Sequence, residues 1–208
     1  MDSKLINLLP IMGVLFGVAF LGAATALYPG DYQWGEHTIS ALFQSATPSG
    51  VANPARPLAM MGVLTAMSGI ALLFHLVSRQ TLRAFQKRAI QIGGIAATVF
   101  ASLTIALLHD LMVSLALVCF MVAVVAILNL LYDEREIVLF ALGILFLGLE
   151  FSTAVMYFGS VWLQFLPVTQ KAALVLIGMW LFIVFHRLSS KTTRSSIPES
   201  EDIEDSKY

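Results

Sequence analysis

Charge is what this chain has least of. Asp, Glu, Lys and Arg make up 12% of its 208 residues, against about 25% in an average soluble domain. That scarcity excludes a disordered chain and a soluble globular domain. A formal net charge of −1 also excludes a basic nucleic-acid binder, so no nucleic-acid partner is expected. Cysteine is nearly absent. Cys119 stands alone inside an apolar run, which leaves neither a disulfide framework nor a cysteine zinc site. There is no Walker loop, no Gly-x-Gly-x-x-Gly after a strand and no His-Glu-x-x-His helix. What fills the chain is hydrophobic residues, 58% of the total.

Those residues come in runs long enough to cross a bilayer, which takes about 20 apolar residues per helix. Six are read: Leu5–Leu27, Pro57–Val77, Ala89–Leu108, Leu111–Leu131, Ile137–Phe158 and Pro167–Arg187. The last reaches full length if Pro167 opens the helix and Lys171 snorkels to the interface. A β-barrel would alternate apolar and polar residues, whereas stretches such as 111–126 are apolar on every face. The expected fold is therefore all-α, a six-transmembrane-helix bundle over residues 1–188 with a disordered cytoplasmic tail at 189–208. That tail is Ser-rich and then acidic, with no apolar face.

Ten of the twelve Lys and Arg residues fall on one side of a six-span zigzag, among them Arg79, Arg83, Lys87, Arg88, Arg135 and Arg187; Arg56 and Lys171 fall on the other. The positive-inside rule makes the crowded side, and both termini, cytoplasmic. The expected location is the plasma membrane. Ala24-Thr25-Ala26 has the pattern of a signal-peptidase site, but the apolar run before it exceeds a signal core and only Lys4 forms a basic start. The first span is expected to stay. Tyr28, Tyr32, Trp34 and Trp162 flank spans at headgroup level.

The polar residues of the outer side are few. The first outer loop offers Asp31, Glu36, His37 and Ser40, and the turn after span three offers His109 and Asp110. Glu150 lies 13 residues into span five, roughly 20 Å up a core of about 30 Å. A carboxylate there is costly unless paired, protonated or facing a wet cavity. It is either a protonated group bonded to a neighbouring helix or part of a functional site. His109-Asp110 is either a polar hairpin, with Asp110 favoured by the helix dipole, or a general base with its carboxylate. Ser40 reads as a helix cap or as a nucleophile activated by His37 or His109. These residue types suffice for zinc, but their spacing does not suggest it; no metal or cofactor is expected. Gly13-Val-Leu-Phe-Gly17 and Gly93-Gly94 are small-residue helix faces. Such faces pack helices closely, within the chain or in a homo-oligomer.

The stretch Tyr28-Pro-Gly-Asp-Tyr-Gln-Trp-Gly-Glu-His-Thr-Ile-Ser-Ala-Leu-Phe43, a Pro-containing entry to span two and His109-Asp110 after span three together resemble a bacterial six-span membrane family catalogued as domain of unknown function 998. The layout is also similar to the DRAM-like membrane proteins (damage-regulated autophagy modulators). The latter likeness implies a role in membrane or lipid organisation. The expected activity is binding of a lipid headgroup or small polar ligand at an outer mouth lined by Asp31, Glu36, His37, Ser40, His109, Asp110 and Glu150, with membrane lipids as partners. The alternatives are an intramembrane hydrolase or transferase using His, Asp and Glu, and a small proton-coupled transporter.

Overall fold

A computed structural model describes residues 3–105 and 108–195, with side chains described over 8–105 and 108–191. The six long helices are α1 Ser3–Ala26, α2 Arg56–Ser78, α3 Ala84–Leu103, α4 His109–Asp133, α5 Ile137–Gly159 and α6 Leu166–Ser195. Two short 3-10 turns, Ile39–Phe43 and Leu163–Phe165, stand in the loops before α2 and α6. The protein is a helical membrane bundle. Among the described residues, α1, α2, α4, α5 and α6 are long and apolar enough to cross a membrane. Helix α3 is less so, because Gln86, Lys87, Arg88 and Gln91 occupy its first half.

Consecutive helices from α2 to α6 pack side by side, and α6 returns to α2. The result is a ring of five helices, with α1 laid along α2. Small residues set that last approach. A Cβ added at Gly17 would meet backbone atoms of Ala66 and Gly62 at 2.7 Å, and one at Gly69 the Pro10 carbonyl at 2.6 Å. Gly93 lies equally close to the Cys119 carbonyl on α4, while Gly94 faces the Phe74 ring on α2. The Gly13, Gly17, Gly93 and Gly94 faces are thus packed within the chain.

The two ends of the bundle differ. One carries Arg79, Arg83, Lys87, Arg135, Arg187 and Lys191 and is called the basic end; the other carries residues 27–55 and is called the loop end. Toward the basic end the ring is filled by a core that includes Phe74, Val77, Ile90, Ile127, Leu131, Trp180, Leu181 and Val184. Gly143 makes room for the Trp180 ring, whose Nε1 donates to the Leu139 carbonyl at 2.9 Å. Polar contacts close the surface there. Arg83 meets Asp133 at 2.5 Å, Gln86 Nε2 donates to the same carboxylate at 3.2 Å, and Lys191 and Arg187 converge on Glu136 at 2.6 and 3.2 Å.

Three boundaries differ from the sequence reading. Helix α3 begins at Ala84, not Ala89, because the Thr81 hydroxyl accepts from the Arg83 amide and donates to Gln86 Oε1, anchoring the turn before the charged residues. Leu108 is not the end of that span. It stands before α4 in a left-handed conformation, with φ of 69°. Helix α6 continues past position 188 to Ser195, so residues 189–195 are helical and not tail. The rest of the expected tail, 196–208, lies outside the described residues.

Candidate functional site

The loop end of the ring is hollow where the basic end is solid. A cavity of about 330 Å³ lies between the five helices, at the lower end of the range for small-molecule pockets. Every ring helix contributes to it, and the 3-10 turn Ile39–Phe43 roofs it. Most of its wall is apolar, with Ile70, Phe74, Phe120 and Ile177 continuing into the packed core. The polar positions are Thr38, Ser40, Thr98, Thr104, His109, Glu150, Thr153, Tyr157 and Gln170.

Helix α5 shows how the sequence builds this wall. Glu150, Thr153, Ala154 and Tyr157 all line the cavity. They fall at i, i+3, i+4 and i+7, which is one helical face. The opposite face carries Phe151, Ser152 and Val155, all exposed at the bundle's outer surface. Glu150 faces inward as a consequence, and among the described residues its carboxyl has no hydrogen-bond partner. The hydroxyl protons of Thr98, Thr104 and Thr153 go to helix carbonyls of Ile95, Ala101 and Leu149 at 2.7–3.0 Å.

At the rim, Tyr157 donates to Asp110 at 2.5 Å, and His109 Nδ1 lies 3.1 Å from the same phenol and 3.3 Å from Asp110. The phenol proton is committed to the carboxylate. Nδ1 must therefore carry the proton that bridges to these oxygens, which leaves Nε2 turned away from them. Asp110 itself is largely exposed and stands beside the cavity, not in it.

The roof is fastened by residues the sequence reading did not single out as site residues. Lys171 Nζ on α6 donates to the carbonyls of Trp34, His37 and Pro167 at 2.9, 2.5 and 3.1 Å. It also lies 5.6 and 5.7 Å from the ring centroids of Tyr32 and Trp34, a cation–π arrangement. Gln170 Oε1 accepts from the Ile39 amide at 3.2 Å. Tyr32 hydrogen-bonds the His37 and Thr38 carbonyls, and burial, with Tyr28 beside it, pushes its phenol up to about 12. Asn53 ties the loop's return by donating to the Leu42 and Gln44 carbonyls.

Of the residues expected at the mouth, Ser40, His109 and Glu150 line the cavity, with Asp110 adjoining through Tyr157. His37 is held in the roof, stacked among Tyr28 and Tyr32, and accepts from the Gln33 amide. Asp31 and Glu36 are exposed on the loop. Ser40 is not an end cap: its hydroxyl pairs with that of Thr38 at 2.8 Å. Among the described residues no three His, Cys, Asp or Glu side chains cluster as a metal site would require. His75 lies 3.2 Å from Gln91, bridging α2 and α3 near the basic end. Tyr157 and Gln170 were findable from spacing, since each shares a helix face with a cavity residue. Lys171 was not, because its partners are backbone carbonyls more than 130 positions away.

Searches for a matching protein family, a matching curated protein and a matching solved structure find none.

Proposed function

We propose that this is a six-span membrane protein, both termini cytoplasmic, that binds an amphiphile in its loop-end cavity, its polar head against polar side chains such as Glu150 and its apolar part against the phenylalanine and aliphatic wall. The observation that carries the reading is the mixed lining of one cavity between the five helices. Its wall is mostly apolar, and a few polar side chains, among them Ser40, Thr98, His109, Glu150, Thr153 and Gln170, interrupt it. A lipid headgroup with part of its chain, or a small polar ligand with an apolar body, matches that pattern.

The six-span count is supported by α3 running antiparallel between α2 and α4. Arg83 at its start pairs with Asp133 at the end of α4, and Gly93 meets Cys119 midway along it. A helix held at the depth of two spanning neighbours crosses with them. Lys87 and Arg88 then sit in its first turns at the basic end, where long side chains reach headgroups. The concentration of Lys and Arg at that end supports a cytoplasmic assignment.

A second reading, an intramembrane hydrolase or transferase, is favoured by one observation. His109 is held at Nδ1 by Tyr157 and Asp110, with Nε2 left to act as a base. A transporter has less support, because the packed core toward the basic end occupies the route that a through path would take.

Filling the cavity tests the binding reading. Ala116 and Ala154 line it from facing helices. Purified wild-type protein should bind a fluorescent amphiphile saturably, and Ala116→Trp should abolish the saturable component while retaining helical content. Equal binding by the two proteins would sink the reading. Release of product from an ester amphiphile, lost in His109→Ala, would move the assignment to the hydrolase.

A further inference from the structure

We propose that the loop-end cavity selects an amphiphile with an amine head, with Glu150 as counter-ion and the surrounding threonine oxygens as acceptors. The inference rests on the amphiphile-binding reading and names the head-group class that the site takes.

Three observations converge on it. The first is the isolation of one carboxyl. At the basic end Asp133, Glu134 and Glu136 all meet Arg or Lys, and Asp110 takes the Tyr157 proton. Asp31 and Glu36 are exposed to water. Glu150 alone among the described carboxylates on the helices lines the cavity without a partner. Among the described residues no Lys or Arg lines the cavity, and the nearby Lys171 is committed to two carbonyls in the roof and one on its own helix. Carboxylates in such surroundings are stabilised by pairing, so the missing cation is one a ligand can bring.

The second observation is the direction of the other hydrogen bonds. Thr98, Thr104 and Thr153 have given their protons to their own helices, so they face the cavity with oxygen lone pairs only. Tyr157 donates its hydroxyl hydrogen bond to Asp110, so the phenol faces the cavity with an oxygen lone pair. The Gln170 oxygen is occupied by the Ile39 amide, so the donors left in the site are its amide nitrogen and one hydroxyl of the Thr38–Ser40 pair in the roof, against a larger number of acceptors. An ammonium presents three donors and no acceptor. A carboxylate or phosphate head presents the reverse, and meets Glu150 with like charge.

The third is aromatic surface. Phe43, Phe74, Phe120 and Phe158 line the same space, and a desolvated cation gains from such rings. The titratable groups facing Glu150 within the cavity are His109 from α4 and Tyr157 from its own helix; the roof turn, α2, α3 and α6 contribute none.

The experiment uses the full-length protein in nanodiscs of uncharged lipid, with four probes: dodecylamine, dodecanol, dodecanoate and butylamine. Binding is read by calorimetry and by shift of the thermal midpoint. Dodecylamine should bind about tenfold tighter than dodecanol, the worth of one charge-assisted contact, with dodecanoate weaker than both. Butylamine, an amine without the chain, should bind at least tenfold more weakly than dodecylamine. Glu150→Gln should keep dodecanol affinity and lose the preference for the amine, and Thr153→Val should reduce that preference several-fold. Because Glu150 bonds nothing within the protein, its amide should fold normally. Equal affinity for amine and alcohol, tightest binding of dodecanoate, or an undiminished amine preference in Glu150→Gln would each overturn the head-group assignment and leave the amphiphile site standing. Butylamine binding as tightly as dodecylamine would make the ligand a free amine and overturn the amphiphile. No binding by any probe would overturn both.

Discussion

Glu150 is the residue on which the site turns, and its energetics can be separated from its function. A carboxyl inside an apolar ring with no internal partner destabilises the empty protein. Replacing it with the isosteric, uncharged glutamine should therefore leave the thermal midpoint unchanged or raise it, by the equivalent of about 1–2 kcal/mol. A loss of stability in ligand-free Glu150→Gln would mean that the carboxyl is bonded within the bundle. Lys171 predicts the opposite behaviour. Its ammonium satisfies three carbonyls, and such charged hydrogen bonds contribute roughly 1.5–3 kcal/mol. Lys171→Met should cost about 2 kcal/mol and accelerate amide hydrogen exchange across 34–39, with exchange in α4 unchanged. Exchange raised throughout, or nowhere, would show that Lys171 does not fasten the roof.

Glu136 gives a pH dependence of known sign. The Lys191 hydrogen bond foremost, then the charges of Lys191 and Arg187, hold its carboxyl below the ordinary carboxylate range against an opposing effect of burial. A depressed folded-state value means that the ionised form stabilises the fold. That contribution is complete above the unfolded value, about 4.3, and is lost as pH falls through the lower folded value. Arg187 and Lys191 are substantially exposed, so screening limits the effect to about 1 kcal/mol or less. Wild type should lose this increment on acidification below about pH 4 while Glu136→Gln shows no such loss. Parallel acid curves for the two proteins would show that the pair is not coupled to folding.

Elements are positioned here by small residues and by where polar groups anchor a turn. Gly17 tests the first. An added Cβ would meet Ala66 and Gly62 backbone at 2.7 Å, and two helix backbones cannot yield as a flexible side chain can. Gly17→Ala should cost about 1–3 kcal/mol by overpacking and loosen α1 from α2. At Gly22, where nothing lies within 4 Å, the same change should be neutral or stabilising by up to about 1 kcal/mol. Thermal unfolding of the two variants checks the contrast, and similar effects would contradict the α1–α2 packing. The helices themselves were legible in the sequence because each carries a long apolar run with few interruptions, such as Gln91 in α3, Glu150 in α5 and Lys171 in α6. Boundaries were less so. The start of α3 depends on the Thr81 hydroxyl, which binds both Arg83 and Gln86, and hydropathy ignores such a contact. The inward face of α5 was legible in principle, since Glu150 and Tyr157 are seven positions apart. The fate of the first loop was not. Asn53 and Lys171 fold it by bonding backbone carbonyls, which leaves no trace in residue pattern, so nothing in the sequence separated Ser40, which reaches the cavity, from Asp31 and Glu36, which stay in water.

For the whole molecule, a ring that is solid toward one end and hollow toward the other gives the bundle a direction. Its orientation is testable with cysteines introduced into a Cys119→Ala background. Positions 33 and 160 at the loop end should react with an impermeant thiol reagent applied outside intact cells, and position 80 at the basic end should not. The reverse pattern would turn the cavity toward the cytoplasm.

The central claim is that the hollow half of the ring, roofed by the 39–43 turn, is a binding site. The most direct measurement is the reaction rate of a cysteine placed at Ala154, within the cavity wall, against one at Val155, its exposed neighbour on the opposite face, in the Cys119→Ala protein with a small water-soluble thiol reagent. A bound long-chain amine should slow labelling at position 154 about tenfold or more, as expected for a site largely occupied by ligand, and leave position 155 unchanged. Labelling at 154 that is unaffected by saturating amine, or slowed equally at both positions, would contradict the account.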